Sequence, residues 1–444
     1  MHYDLIVRGG AAVLPWGEEA ALDIGVRHGR IAALGTRTED TADSVFDARH
    51  LHVLPGLIDP HVHFRDPGVP GGQDAGIETF ATGSRGAVLG GITTVFDMPN
   101  TIPAATDAVA LAAKRAYVDR ESWCDAGLYV GATRANTGDL PELETLPGVC
   151  GVKVFAGSST GDLMIEDDEG IERVLRCGRR RVCFHSEDEY RLQARRAQFD
   201  KGGPYALHAE WRDVECALLG TRRILALARL AGRPVHILHV STAEEFAHLA
   251  GFRDLATCEV LVNHLTQAAP DAYDRLGAYA VMNPPIRDRR HMEAAWRAVA
   301  DGTVDCVGSD HAPHSRAAKE RPWPATAAGL TGVQTAVPVM LDHVHHGRLS
   351  LPRLVDLMSA GPARVYGARS KGRLAVGFDA DFTVVDLRRE RTIEDNSIAS
   401  PVGWTPFAGT RVVGWPAATV VRGQVVMRDD EVLGRPAGRI VQFN

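Results

Sequence analysis

Gly56-Leu57-Ile58-Asp59-Pro60-His61-Val62-His63 sets a short apolar run directly ahead of two histidines that are one residue apart. Runs of this kind, bounded by turn residues, fit strands buried on both faces. Seven more follow, at 92–96, 127–130, 152–155, 181–184, 235–238, 257–261 and 304–307. Longer amphipathic stretches separate them. Within 218–231, Ile224, Leu227, Ala228 and Ala231 follow the spacing of one apolar helix face, with Arg222 and Arg229 opposite. Leu218, Leu219, Leu225 and Leu230 fall outside that stripe, so this helix is expected to be buried on more than one side. Eight strands alternating with helices predict an α/β chain with a (β/α)8 TIM barrel over 56–375.

Both flanks have a different texture. Residues 3–8, 21–26 and 31–34 are short β-rich runs, with turns at Gly9-Gly10 and His28-Gly29-Arg30. Toward the other end, 381–385, 411–413, 418–422 and 425–428 are β-rich and broken by Gly, Pro or Asp. The simplest packing joins 1–55 and 376–444 into one small composite β-sandwich beside the barrel.

The 444 residues are 45% hydrophobic and 24% charged, which excludes wholesale disorder. The net charge of −7 gives no electrostatic footprint for nucleic acid. The 7 cysteines are odd in number and form no C-x-x-C pair, which argues against a disulfide scaffold or zinc ribbon and for a reducing compartment. No basic segment followed by an apolar core opens the sequence, and no run of about 18 apolar residues occurs. A cytoplasmic protein with no membrane partner is the expectation.

Active sites of this barrel lie at the C-terminal ends of the strands. Read in order, those ends carry His61 and His63, then Lys153 within the fourth run, His185, His239 and Asp310. On an extended strand His61 and His63 face the same way. Imidazole and carboxylate ligands suit Zn²⁺ and related ions. Lys153 sits in Val152-Lys153-Val154-Phe155, where a buried ammonium needs a counter-charge. Either it pairs with Asp310 or a neighbouring carboxylate, or it is carbamylated by CO₂ into an anion able to bridge two metals. A metal pair implies hydrolysis, with Asp310 binding one ion and taking the proton of a bridging hydroxide, then passing it to the leaving nitrogen.

Gly56 to Gly68, reading GLIDPHVHFRDPG, resembles the first signature of dihydroorotases. Ser309-Asp310-His311-Ala312-Pro313-His314 resembles their second. The segment 153–161 (KVFAGSSTG) is similar to the one that holds the carbamylated lysine in many cyclic amidohydrolases. Asp97-Met98-Pro99-Asn100-Thr101, Met282-Asn283-Pro284-Pro285-Ile286-Arg287, 377–382 (GFDADF) and 404–409 (WTPFAG) are further matches, so the resemblance spans nearly the whole chain.

This resemblance implies a zinc-dependent cyclic amidohydrolase that interconverts N-carbamoyl-L-aspartate and L-dihydroorotate in pyrimidine synthesis, and a homo-oligomer, dimer or tetramer. His61 and His63 would bind one zinc, His185 and His239 a second, carbamylated Lys153 both, and Asp310 the first while acting as base. Arg65, Asn100 and His314 would hold a substrate carboxylate, and Asn283 would contact the ring amide. Allantoinase or dihydropyrimidinase (hydantoinase) activity on the same centre is the alternative, and an inactive structural homologue is a third reading. All six metal-ligand positions being filled argues against the third.

Two stretches depart from the family pattern: Val69-Pro70-Gly71-Gly72-Gln73-Asp74, where Lys-Glu-Asp is common, and Leu261-Val262-Asn263-His264-Leu265, where Pro-His-His-Leu is common. The polar segment 315–324 is expected to be a mobile loop near the mouth, with a plain βα connection as the alternative. His52, His236 and His264 are expected to be structural, and His311 to point away from the metals. Trp211, Trp296, Trp323, Trp404 and Trp415 need no role beyond packing. Glu187 and Asp188 are either acceptors for ligand imidazoles or solvated loop acids.

Overall fold

Each of the eight apolar runs overlaps a strand, in the expected order. The computed structural model describes residues 1–14, 17–36, 39–68, 77–157 and 161–444. The strands are β1 (Leu57–Val62), β2 (Ile92–Asp97), β3 (Asp125–Gly131), β4 (Val149–Phe155), β5 (Val182–His185), β6 (Val235–Ile237), β7 (Ala256–Leu261) and β8 (Cys306–Gly308). They pair side by side in chain order, all parallel. The ring is drawn nearly closed where Val62 bridges to His311 and the His63 N–H donates to the His311 carbonyl at 2.7 Å. Gly308 permits that approach, because a Cβ there would stand 3.2 Å from the Cβ of His61 and 2.8 Å from a carboxylate oxygen of Glu259. The strands read as unbroken buried runs because helices cover them outside and side chains fill the barrel inside.

The helix Val214–Ala231 shows how the outer layer is fixed. Asp213 caps its start, its side chain accepting from the Cys216 N–H, and Gly232 ends it in the left-handed region at φ 66°. Leu218 and Leu225 are buried along with Ile224, Leu227 and Ala228, so more than one side is covered, whereas Leu219 and Leu230 stay exposed. Gly220 lets the helix lie against the segment that follows β5: a Cβ there would fall 1.5 Å from the Ser186 carbonyl oxygen.

Both chain ends form one nine-stranded sheet. His2–Val13, Glu19–Arg27, Arg30–Gly35, Thr41–Asp47 and His52–Pro55 come from one end, and Phe382–Thr392, Arg411–Val421, Gln424–Arg428 and Glu431–Val432 from the other. The seam is His52–Pro55, parallel to His2–Val13 on one side and antiparallel to Phe382–Thr392 on the other. Thr41–Asp47 and His52–Pro55 were not anticipated from the pattern, and 411–413 and 418–422 merge into one strand across Pro416. The sheet encloses its own apolar cluster, including Leu5, Val7, Ile24, Val26, Phe382 and Val420. The turn at His28-Gly29 has φ 52° and 72°, the left-handed pair that a two-residue hairpin requires.

The sheet is tied to the barrel by buried charge. Lys371 Nζ lies 2.5 Å from Asp125 of β3, 2.5 Å from Asp381 and 3.1 Å from Asp379. Asp125 also pairs with Arg422.

Segment 315–324 differs from the expected mobile loop. It carries a helix, Arg316–Lys319, and the Lys319 ammonium is buried, donating to the carbonyls of Val281 (2.9 Å), Ala327 (2.7 Å) and Gly329 (3.1 Å). Polar composition reads as solvation, and most of the segment is exposed, but the Lys319 donors are spent on backbone acceptors. The departure at 69–74 and residues 158–160 lie outside the described residues. Among the described residues, no helix is long and apolar enough to cross a membrane.

Candidate metal centre

His61, His63 and Asp310 converge at the mouth of the barrel, each offering one ligand atom within 4.8 Å of the others. Nε2 of His61 lies 3.2 Å, and Nε2 of His63 3.0 Å, from Oδ1 of Asp310. The far ring nitrogens are anchored. His61 Nδ1 donates to Glu259 Oε1 at 2.8 Å, and His63 Nδ1 to Asn100 Oδ1 at 2.7 Å. With each ring proton on Nδ1, both Nε2 lone pairs face a carboxylate oxygen at close range. Three electron-rich atoms so placed repel one another unless a cation lies among them.

The other two histidines meet beside this group. His185 Nδ1 lies 3.1 Å from His239 Nε2, and the rings of His61 and His239 are 5.4 Å apart. His185 Nε2 donates to Glu187 Oε2 at 2.9 Å, and Arg212 holds the same carboxylate. Burial pushes Glu187 up, but Arg212 and His185 outweigh it and keep its carboxyl well below the usual range. His239 Nδ1 is buried with no hydrogen-bond partner among the described residues, an orphan of the kind that marks a functional constraint. Burial lowers all four histidines, His61 to about 3, which keeps the rings neutral as metal ligation requires. His239 and Asp310 also hold left-handed backbone at φ 38° and 48°, a conformation non-glycine residues keep only when their surroundings impose it.

Lys153, the remaining expected residue, lies on β4. It is buried, its Nζ 4.5 Å from the ring centre of Phe155, and it makes no hydrogen bond among the described residues. Burial lowers its pKa to about 8. Phe155 in turn stacks on His185.

The expected substrate contacts are divided. Arg65 is buried near the His61–His63 pair; its Nη2 donates to the Pro313 carbonyl at 3.1 Å and lies 3.5 Å from His314 Nε2. Asn100 spends its oxygen on His63, leaving its amide hydrogens for a ligand. Asn283 touches none of these, and its Oδ1 accepts from His208 Nε2 at 2.8 Å.

Of the two acids after β5, Glu187 is the imidazole acceptor, whereas Asp188 caps the helix Glu189–Arg196 and pairs with Arg223. His311 turns away, bonding Glu78 at 3.1 Å and accepting from the Gly332 N–H at 3.0 Å. His52 pairs with Glu19, His236 bonds Thr257, and His264 bonds the Pro284 carbonyl. Sequence reasoning missed Glu259, Arg212 and His208. Glu259 was legible only as a charged residue inside the buried run 257–261, a position that demands a partner.

The amidohydrolase family model matches residues 52–426. The dihydroorotase of Methanosarcina mazei is 34% identical over 430 residues, covering 93% of this chain and 92% of its own length. The allantoinase of Rubrobacter xylanophilus is 35% identical over 457 residues, covering 99% of this chain and 98% of its own. The solved L-hydantoinase (dihydropyrimidinase) of Arthrobacter aurescens superposes with a TM-score of 0.92 at 30% identity, over 99% of both chains.

Proposed function

Because this chain belongs to the amidohydrolase family and is a cyclic amidohydrolase, we propose that it is a zinc-dependent dihydroorotase, interconverting N-carbamoyl-L-aspartate and L-dihydroorotate in pyrimidine synthesis. The observation that carries this substrate is the buried Arg65 guanidinium beside His314, next to the His61–His63 pair. A guanidinium offers a fork of donors matched to a carboxylate, and of the candidate rings dihydroorotate carries one. Arg65, Asn100 and His314 hold that carboxylate, and Asn283 contacts the ring amide.

The donor set fits two ions. His61, His63 and Asp310 would hold one, His185 and His239 the other, with Lys153 between them as a carbamate. A neutral amine adds CO₂, and the lowered pKa of Lys153 favours that form. When bound, the metals lower the pKa of a water and polarise the scissile carbonyl. Asp310 accepts the proton of the attacking water and returns it to the ring nitrogen as the C–N bond breaks. Glu259 and Asn100 hold His61 and His63 in the tautomer that turns Nε2 inward.

The long match to the Rubrobacter allantoinase supports a second reading, allantoinase or hydantoinase chemistry on the same centre. Residues 56–375 as a barrel domain, 1–55 with 376–444 as a composite domain, and a dimeric or tetrameric assembly complete the reading. The test is turnover by the zinc- and bicarbonate-supplemented protein of dihydroorotate, allantoin, hydantoin and dihydrouracil side by side. Dihydroorotate preferred by about tenfold or more, on the order of 1.4 kcal/mol in transition-state binding, is expected. Preference for a ring without the carboxylate overturns the substrate and keeps the chemistry.

A further inference from the structure

Asn283 is held from behind by a chain of two aromatic rings. Its Oδ1 lies 2.8 Å from His208 Nε2, which also lies 3.1 Å from the Met282 carbonyl. The other nitrogen of that ring, Nδ1, lies 3.4 Å from Nε1 of Trp323. An indole nitrogen can only donate. His208 Nδ1 therefore accepts, the ring proton resides on Nε2, and Nε2–H serves the two oxygens. Asn283 is left with its oxygen toward His208 and both amide hydrogens turned away.

The three residues come from distant parts of the chain. Trp323 follows the helix Arg316–Lys319, and His208 lies on the helix Leu207–Trp211. His208 and Trp323 are buried and Asn283 is half-buried. Burial, then Arg212, lowers His208 to about 3, so the ring remains neutral and Nδ1 keeps its lone pair. The neighbour of Asn283, Pro284, gives its carbonyl to His264 at 3.2 Å, and His264 is close enough to Asp310 to feel its charge. Asn283 is thus joined to the Asp310 side of the barrel through the Pro284 carbonyl and His264.

We propose that His208 is a positioning residue, set in one tautomer by Trp323, that fixes Asn283 as a pure donor so that the site selects a ring carbonyl oxygen over a ring N–H at this point. The proposal rests on the reading of Asn283 as a substrate contact. It gives Trp323 a function beyond packing, and it makes the segment 315–324 part of substrate selection.

Trp323→Phe removes the indole proton and keeps a ring against Phe199, which Trp323 meets edge-on at 6.2 Å. In the full-length, metal-loaded protein labelled with ¹⁵N-histidine, His208 is expected as a single Nε2–H tautomer, and as a mixture in W323F. For the preferred ring, W323F should raise KM about three- to tenfold with kcat changed less than about twofold, the signature of a lost uniform contact. His208→Gln, whose amide can still donate to Asn283, should stay nearer the parent KM than His208→Phe.

An unchanged tautomer in W323F, or a parent KM in H208F, overturns the relay. If Asn283→Ala nevertheless raises KM, the substrate contact stands and only the relay falls. If N283A keeps the parent KM, the contact falls and the relay with it. Equal losses of kcat and bound metal in H208F and H208Q would mark a structural ring and also overturn the proposal.

Discussion

Glu259 ties His61 to the opposite side of the mouth: its Oε1 receives the His61 Nδ1–H at 2.8 Å and also the backbone N–H of His239 at 3.2 Å. One buried oxygen thereby sets a ring on β1 and the backbone just after β6. Glu259→Leu should lower zinc affinity about 10- to 100-fold, the usual effect of losing an outer partner of a metal ligand. Glu259→Gln, which keeps an acceptor oxygen, should lose less. Competition with a chromophoric chelator measures both, and parent affinity in the leucine variant would refute the link.

Lys153 gives a pH dependence with a definite sign. Burial favours the uncharged amine and brings its pKa down to about 8. The neutral fraction therefore rises through that value, about tenfold between pH 7 and pH 9. Metal-stripped protein should take up ¹³C-bicarbonate as a carbamate faster at pH 9 than at pH 7, after correction for dissolved CO₂. Lys153→Ala should show no such signal.

Arg65→Met should lower kcat/KM for dihydroorotate about 10- to 100-fold, corresponding to loss of a hydrogen bond to a charged group. Turnover of dihydrouracil, which has no carboxylate, should change little. An equal fall on both rings would assign Arg65 to the scaffold.

Lys371→Met tests the junction between barrel and sheet. Removing the ammonium takes the counter-charge from buried Asp381 and leaves Asp125 to Arg422 and Asp379 to Arg30, which costs about 3–5 kcal/mol. A large fall in melting temperature is expected. Lys371→Met combined with Asp381→Asn should recover part of it.

The barrel was readable because its strands are buried on both faces and so leave uninterrupted apolar runs. The convergence of His61, His63 and Asp310, with His185 and His239 beside them, was legible because parallel strands all end at one face, so separated strand ends become one list. The terminal sheet was only partly readable. Thr41–Asp47 exposes most of its side chains and carries little apolar pattern, and Pro416 split one strand into two. Glu259, Arg212 and His208 escaped because their roles depend on which helix or strand lies opposite. Lys319 misled because charge in a sequence says nothing of the carbonyls waiting for it.

The seam at His52–Pro55 has a consequence for synthesis. Its partner Phe382–Thr392 is made some 330 residues later, which at 5–20 residues per second is roughly half a minute on the ribosome. Throughout that interval the nascent chain presents an unsatisfied strand edge, a template for any extended segment nearby. The barrel is synthesised within the same interval, and its completion brings the two halves of the sheet within reach of each other. A ribosome stalled before residue 382 would therefore release a chain whose first product is not a smaller enzyme but a sticky edge, one that chaperones would have to shield.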